Sequence, residues 1–270
     1  MLARSLARVI PKCGVLPIVS RTFADAAKSG EKSYMLMHPV YDEEALKVNI
    51  THRPPEGLRD SFVLGLLKGA RFLFDKGTGY GGEMNEKFYL RRFLFLETVA
   101  GVPGMVGGML RHLRSLRTMK RDNGRIHTLL EEAENERMHL LTFLEMKKPG
   151  LMFRAAVMGA QGVFLGAYTL SYILSSRSCH RFVGYLEEEA VKTYTRAIDD
   201  LDSGKLPAWE NLPAPEIGVD YWKLKDGALI RDLLLAIRAD EAVHRYVNHT
   251  FGSLKVTDPN PFEVGAIEHD

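Results

Sequence analysis

Cysteine is nearly absent: Cys13 and Cys179 are the only two in 270 residues. Two thiols cannot build a disulfide framework, nor a thiolate zinc site by themselves. Charge of one sign is lacking too, with 36 Lys and Arg against 34 Asp and Glu, a formal +2. That balance removes any global electrostatic case for nucleic acid. The one basic stretch, 111–121, also lacks interleaved aromatics. No run alternates apolar and polar residues between turns, so no sheet is expected. What remains is 46% hydrophobic and 26% charged residues, an ordinary globular composition with enough chain to bury a core.

Acids are missing from residues 1–24, where Arg4, Arg8, Lys12 and Arg21 recur among Leu, Ala, Val and Ser. A basic, amphipathic, hydroxyl-containing segment of this kind reads as a mitochondrial transit peptide. Cys13 would leave with it. Residues 25–57 read as a polar N-terminal arm, 58–262 as the folded domain and 263–270 as a tail. From Leu58 the apolar positions Phe62, Leu66, Leu67, Ala70 and Phe74 follow helical spacing until a glycine-rich break at 77–82. Further helical segments are expected over 83–117, with a bend near Pro103, then 123–147, 151–176, 180–201 and 221–251. A proline-rich loop spans 203–215. The fold is therefore expected to be all-α, six helices around one core.

Residues 155–176 carry no charge, which is long enough for a membrane span and equally suits a helix buried on most sides of a bundle. Residues 93–110 are also apolar, but Glu97 and Pro103 argue against a span there. The stretch that follows places Arg111, His112, Arg114, Arg117, Lys120 and Arg121 around Leu113, Leu116 and Met119. This profile fits a helix lying in a membrane interface, a solvated face or a subunit contact.

Two helices carry Glu-x-x-His: Glu136 with His139, and Glu241 with His244. Residues three apart share a helix face, so each pair can grip one ion. Glu97 lies inside an apolar run where an unpaired carboxylate would be costly. Glu187 opens an acidic run just after another apolar one. One Glu from each of two helices, plus a Glu-x-x-His from each of two others, is the pattern of di-iron carboxylate bundles. Four carboxylates and two neutral imidazoles balance two Fe(II) ions, and this donor set suits iron in O₂ chemistry. The bland alternative for each glutamate is a surface salt bridge, the role expected of Glu131, Glu132, Glu134, Glu188 and Glu189.

At these residues the sequence resembles the alternative oxidase family. Its signatures stand here as Leu96-Glu-Thr98, Asn135-Glu-Arg-Met-His-Leu140, Leu186-Glu-Glu-Glu-Ala190 and Arg238-Ala-Asp-Glu-Ala-Val-His-Arg245. The similarity runs from about Leu58 to Phe262. It implies a ferritin-like four-helix di-iron bundle with two additional helices, monotopic and homodimeric, on the matrix side of the mitochondrial inner membrane. It implies a cyanide-insensitive ubiquinol oxidase that reduces O₂ to water, without pumping protons. Two non-haem irons would be held by Glu97, Glu136, His139, Glu187, Glu241 and His244, with Asn135 and Asp240 ordering the surrounding shell.

The resemblance further makes Tyr194, two helical turns on from Glu187, a redox tyrosine. It places Arg92, Leu96, Ala190 and Thr193 around quinol, with Arg92 donating to a quinone oxygen. Tyr221 and Trp222 match family aromatics, core packing being the alternative. The implied partners are ubiquinol, O₂, inner-membrane lipid and a second copy of the chain. The resemblance also resolves the uncharged segment towards a bundle helix. One departure is Val243, where many members have a second histidine. No N-terminal thiol would remain after import, so no cysteine-based switch is expected. Two rivals stay open on the residues alone: an iron-storage or ferroxidase bundle with the same ligands, and a metal-free scaffold whose glutamates pair with arginines.

Overall fold

The computed structural model describes residues 37–262, within the unit Tyr34–Asp270. The expected transit peptide and C-terminal tail lie outside the described residues, as does the first part of the arm. Among the described residues there are six helices: α1 (Gly57–Thr78), α2 (Glu86–Thr118), α3 (Arg125–Met146), α4 (Leu151–Asp202), α5 (Glu216–Trp222) and α6 (Ile230–Ser253). Their only β feature is an isolated bridge between Pro213 and Leu229. The all-α expectation agrees with this architecture.

Local chemistry sets the boundaries. Gly79 takes a left-handed φ of 72° and its N–H closes on the Asp75 carbonyl, ending α1. The Asn85 side chain accepts from the Phe88 amide at 3.1 Å and starts α2. α2 runs on through Pro103 as one helix. Two elements differ from the sequence-based expectation. The helices placed at 151–176 and 180–201 are merged in α4, and their break is confined to Ser175, at φ −158° and ψ 89°. The helix expected over 221–251 is two: Lys223 turns left-handed at φ 54°, Gly227 follows at 74°, and α6 restarts at Ile230.

α2 packs against α3 and α4, and α4 packs along α6. These four helices form the bundle, with α1 laid on α4 and α5 bridging α3 and α6. The α2–α3 approach is unusually close at Gly104, where a Cβ would stand 2.5 Å from the Leu129 carbonyl oxygen. The main apolar core combines Tyr89, Phe93, Met138, Phe143, Tyr194, Trp222, Leu233 and Ile237. All eight are buried, so this end of the bundle excludes water.

The uncharged first half of α4 is not a buried bundle helix, contrary to the expectation. Only 11% of its most apolar window is buried, and Leu151, Met152, Met158, Val163, Leu170 and Leu174 are exposed. Leu58, Phe62, Leu66, Phe72 and Leu73 of α1 are exposed as well. Low charge alone does not tell a helix surrounded by helices from one facing an apolar medium; the neighbours decide.

Candidate metal centre

The bundle brings the six predicted ligand side chains together from α2, α3, α4 and α6. Glu97, Glu136, His139 and Glu241 offer donor atoms that all lie within 4.8 Å of one another. His139 Nδ1 stands 3.4 Å from Glu97 Oε2, 3.4 Å from Glu136 Oε2 and 3.5 Å from Glu241 Oε1. His244 Nδ1 lies 2.9 Å from Glu136 Oε1 and 3.7 Å from Glu241 Oε2. Glu187 is buried beside the group, where the charges of Glu241 and Glu136 act on it. All six side chains are buried.

Burial of four carboxylates requires compensating positive charge. Burial pushes Glu97 up to about 8, and raises Glu187 and Glu241. Burial would raise Glu136 too, but the His139 and His244 rings beside it hold it below the ordinary range. Burial would lower both histidines, yet the carboxylates of Asp240 and Glu136 beside His139, and of Glu136 and Glu241 beside His244, raise them. Protons thus neutralise the cluster, a role that bound cations can take over.

The donor set fits a pair of metal ions. Glu97 Oε2, both Glu136 oxygens, Glu241 Oε2, His139 Nδ1 and His244 Nδ1 are buried without a hydrogen-bond partner. Orphaned buried polar atoms are rare, and here they converge on one spot. Mixed oxygen and imidazole donors suit iron or manganese.

Asp240 organises one wall. Its Oδ2 accepts from His139 Nε2 at 2.9 Å, Asn135 Nδ2 at 2.9 Å and Trp222 Nε1 at 2.8 Å. Its Oδ1 accepts from His38 Nε2 at 2.8 Å and from the Tyr41 hydroxyl. Burial would raise this carboxyl, but His38 and His139 hold it well below the usual range. A carboxylate only accepts, so Nε2 carries a proton towards Asp240, which leaves Nδ1 as the atom that a bound cation would take. Trp222 stacks on His139 at 5.7 Å, and Asn135 also donates to the Tyr221 hydroxyl at 3.2 Å. Trp222 and Tyr221 therefore serve both the core and this wall.

Tyr194 donates its hydroxyl to Glu97 Oε1 at 2.5 Å, and its ring stacks on Phe93 at 4.5 Å. Arg92 is buried on the far side of α2, its Nη2 donating to Asp75 at 2.6 Å and its guanidinium 3.8 Å from the Tyr80 ring centre. Its Nη1 and Nε have no partner. It lines a groove of about 780 Å³ with Phe74, Tyr80, Phe88, Phe95 and Phe153. Leu96, Ala190 and Thr193 are outside that lining. Thr193 joins Arg92 indirectly: Arg71 donates to Thr193 Oγ1 at 3.3 Å and to Asp75 at 2.9 Å.

Four residues were misplaced by sequence reasoning. His38 and Tyr41 belong to the stretch read as a polar arm, yet both reach Asp240. Glu132 and Glu188 were expected on the surface and are buried. Glu132 accepts from Asn248 at 2.8 Å, and burial raises it to about 7. Glu188 accepts from His249 at 2.9 Å and His52 at 2.6 Å. Glu132 lies one turn before Glu136 on the same face, a signal that was available. Nothing local marks His38, Tyr41 or Glu188. Glu131, Glu134 and Glu189 do pair with His127, Arg137 and Arg71 at partly exposed positions.

Comparison with known proteins agrees with this geometry. The profile of the alternative oxidase family matches residues 41–253. The mitochondrial alternative oxidase of Emericella nidulans is 59% identical over 254 residues, covering 89% of this chain and 72% of the relative. The protein of the same name from Aspergillus niger is 59% identical over 240 residues, covering 84% and 68%. That of Monilinia fructicola is 52% identical over 251 residues, covering 83% and 70%. With a match over most of its length and relatives at this identity, the chain belongs to the alternative oxidase family.

Proposed function

We propose that this chain is a ubiquinol oxidase: two quinols give four electrons and four protons to one O₂, leaving two quinones and two waters. The observation that carries the reading is the convergence of unpartnered carboxylate and imidazole atoms from Glu97, Glu136, His139, Glu241 and His244, with Glu187 beside them. These six would hold two non-haem iron ions, which when bound supply the redox chemistry that O₂ reduction needs. A carboxylate-rich site without haem is the basis for expecting cyanide insensitivity.

The chain's own groups do the rest. Asp240 fixes the His139 tautomer, while Asn135 and Trp222 fix Asp240. Tyr194 can pass its hydroxyl proton to Glu97 as it gives up an electron to the O₂ being reduced, because its hydroxyl already donates to Glu97 Oε1. Arg92 has two free donors in an aromatic-walled groove, which suits a quinol ring and its oxygen. Leu96, Ala190 and Thr193 lie outside the lining of this groove, so their part in quinol binding rests on the family resemblance.

The exposed apolar faces of α1 and α4 support attachment to a membrane surface without a span. With the mitochondrial names of the relatives, this suits the matrix side of the inner membrane. The exposed Leu113, Leu116 and Met119 among basic residues suit a second copy of the chain or lipid headgroups. The test is O₂ uptake with a short-chain quinol in cyanide, alongside iron content per chain. Quinol-dependent uptake with about two irons per chain is expected. Iron oxidation without quinol turnover, or a Glu241→Ala protein that still consumes O₂ with quinol, would overturn the reading.

A further inference from the structure

A second groove opens beside the one that holds Arg92. It has a volume of about 750 Å³ and is walled by Leu140, Leu144, Phe153 and Val157, with Lys148 and Arg154 among its lining. The size lies within the roughly 300–1,000 Å³ of ligand pockets. None of the six metal-facing side chains, nor Arg92 or Thr193, lines it. Leu94, Pro149 and Phe153 form a wall common to both grooves.

We propose that this groove seats one anionic phospholipid, with an acyl chain against Leu140, Leu144 and Val157 and the phosphate between Lys148 and Arg154. Three observations choose this occupant. No acidic residue lines the groove. Among the described residues, neither Lys148 nor Arg154 has a side-chain ion-pair partner. An apolar slot ending in two unmatched cations complements an amphiphile with an anionic head, whereas a quinol carries no charge for them. Leu151 and Met158, which also line the groove, are 82% and 73% exposed and continue into the uncharged face of α4. Lipid is the neighbour that face would have in the membrane-surface reading, on which this proposal rests. A seated lipid would hold the mouth of the Arg92 groove at headgroup depth, where a hydrophobic quinol enters sideways.

The experiment uses the purified iron-loaded protein, incubated in detergent with equimolar phosphatidylglycerol and phosphatidylcholine and then weighed intact. Flotation on vesicles of the same mixture runs in parallel. The wild type should retain phosphatidylglycerol in preference to phosphatidylcholine. Lys148→Gln with Arg154→Gln should reduce that preference by about fivefold for each cation removed. Val157→Trp fills the slot without changing charge, so it should lose retained lipid while floating like the wild type. Unchanged iron content confirms that the variants are folded. Flotation with no retained lipid, or equal retention by Val157→Trp, overturns the seat and leaves the membrane reading standing. Retained phosphatidylglycerol without flotation supports the seat and overturns the membrane reading. Loss of both overturns both.

Discussion

Asp240 orders one wall of the buried Glu/His cluster. Its two oxygens take hydrogen bonds from the arm, α2's neighbour α3, α5 and the ring of His139. Asp240→Asn keeps the shape but replaces one acceptor with a donor, so His139 can no longer be held by a charged partner. Iron content or quinol oxidation should fall by about 10- to 100-fold, as for outer-shell carboxylates elsewhere, and metal analysis with O₂ uptake checks it. Tyr194→Phe keeps the stack on Phe93 and loses only the bond to Glu97. Iron should remain while turnover drops by about 100-fold or more, which separates a proton or electron role from a packing one.

At the scale of elements, the α2–α3 contact depends on the absence of a side chain. Gly104→Ala would place its Cβ 2.5 Å from the Leu129 carbonyl and 3.0 Å from the Ala133 amide nitrogen. Backbone atoms cannot swing aside, so the helices must separate about two turns along from Glu97 and Glu136. A loss of about 1–3 kcal/mol is expected in denaturant melts. The arm is a second element whose role is positional. Tyr41→Phe removes a donor to Asp240 and leaves the ring beside His38. A partial loss of iron retention is expected with little change in melting, since the arm tightens the wall rather than the core.

For the whole molecule, acid sensitivity follows from a buried histidine outside the buried Glu/His cluster. Burial, aided by Arg111 and Arg125, lowers His180 to about 4, and its Nδ1 is held by Asn248 at 2.9 Å. The folded state therefore keeps His180 neutral where the unfolded chain, at about 6.5, binds a proton. Stability from this group is complete above the unfolded value and is lost as pH falls through 6.5 towards 4. Compared with His180→Gln, the wild type should lose on the order of 3 kcal/mol more across that window, measured by urea unfolding at stepped pH.

The amino-acid sequence determined the helical class and marked the Glu and His residues of the buried cluster, because both are local: apolar residues recur every three to four positions, and Glu-x-x-His puts two donors on one face. The tertiary structure decided what those helices meet. His38 reaches Asp240 across a separation of 202 residues, and no nearby pattern encodes such a contact. Glu187 and Glu188 are neighbours in the chain, yet about 100° of helical turn sends one towards Glu241 and Glu136 and the other to His249 and His52. The uncharged half of α4 has one hydropathy whether it faces helices or an apolar medium. Its exposure was fixed only when the other helices packed elsewhere, since burial belongs to a surface and its partner together.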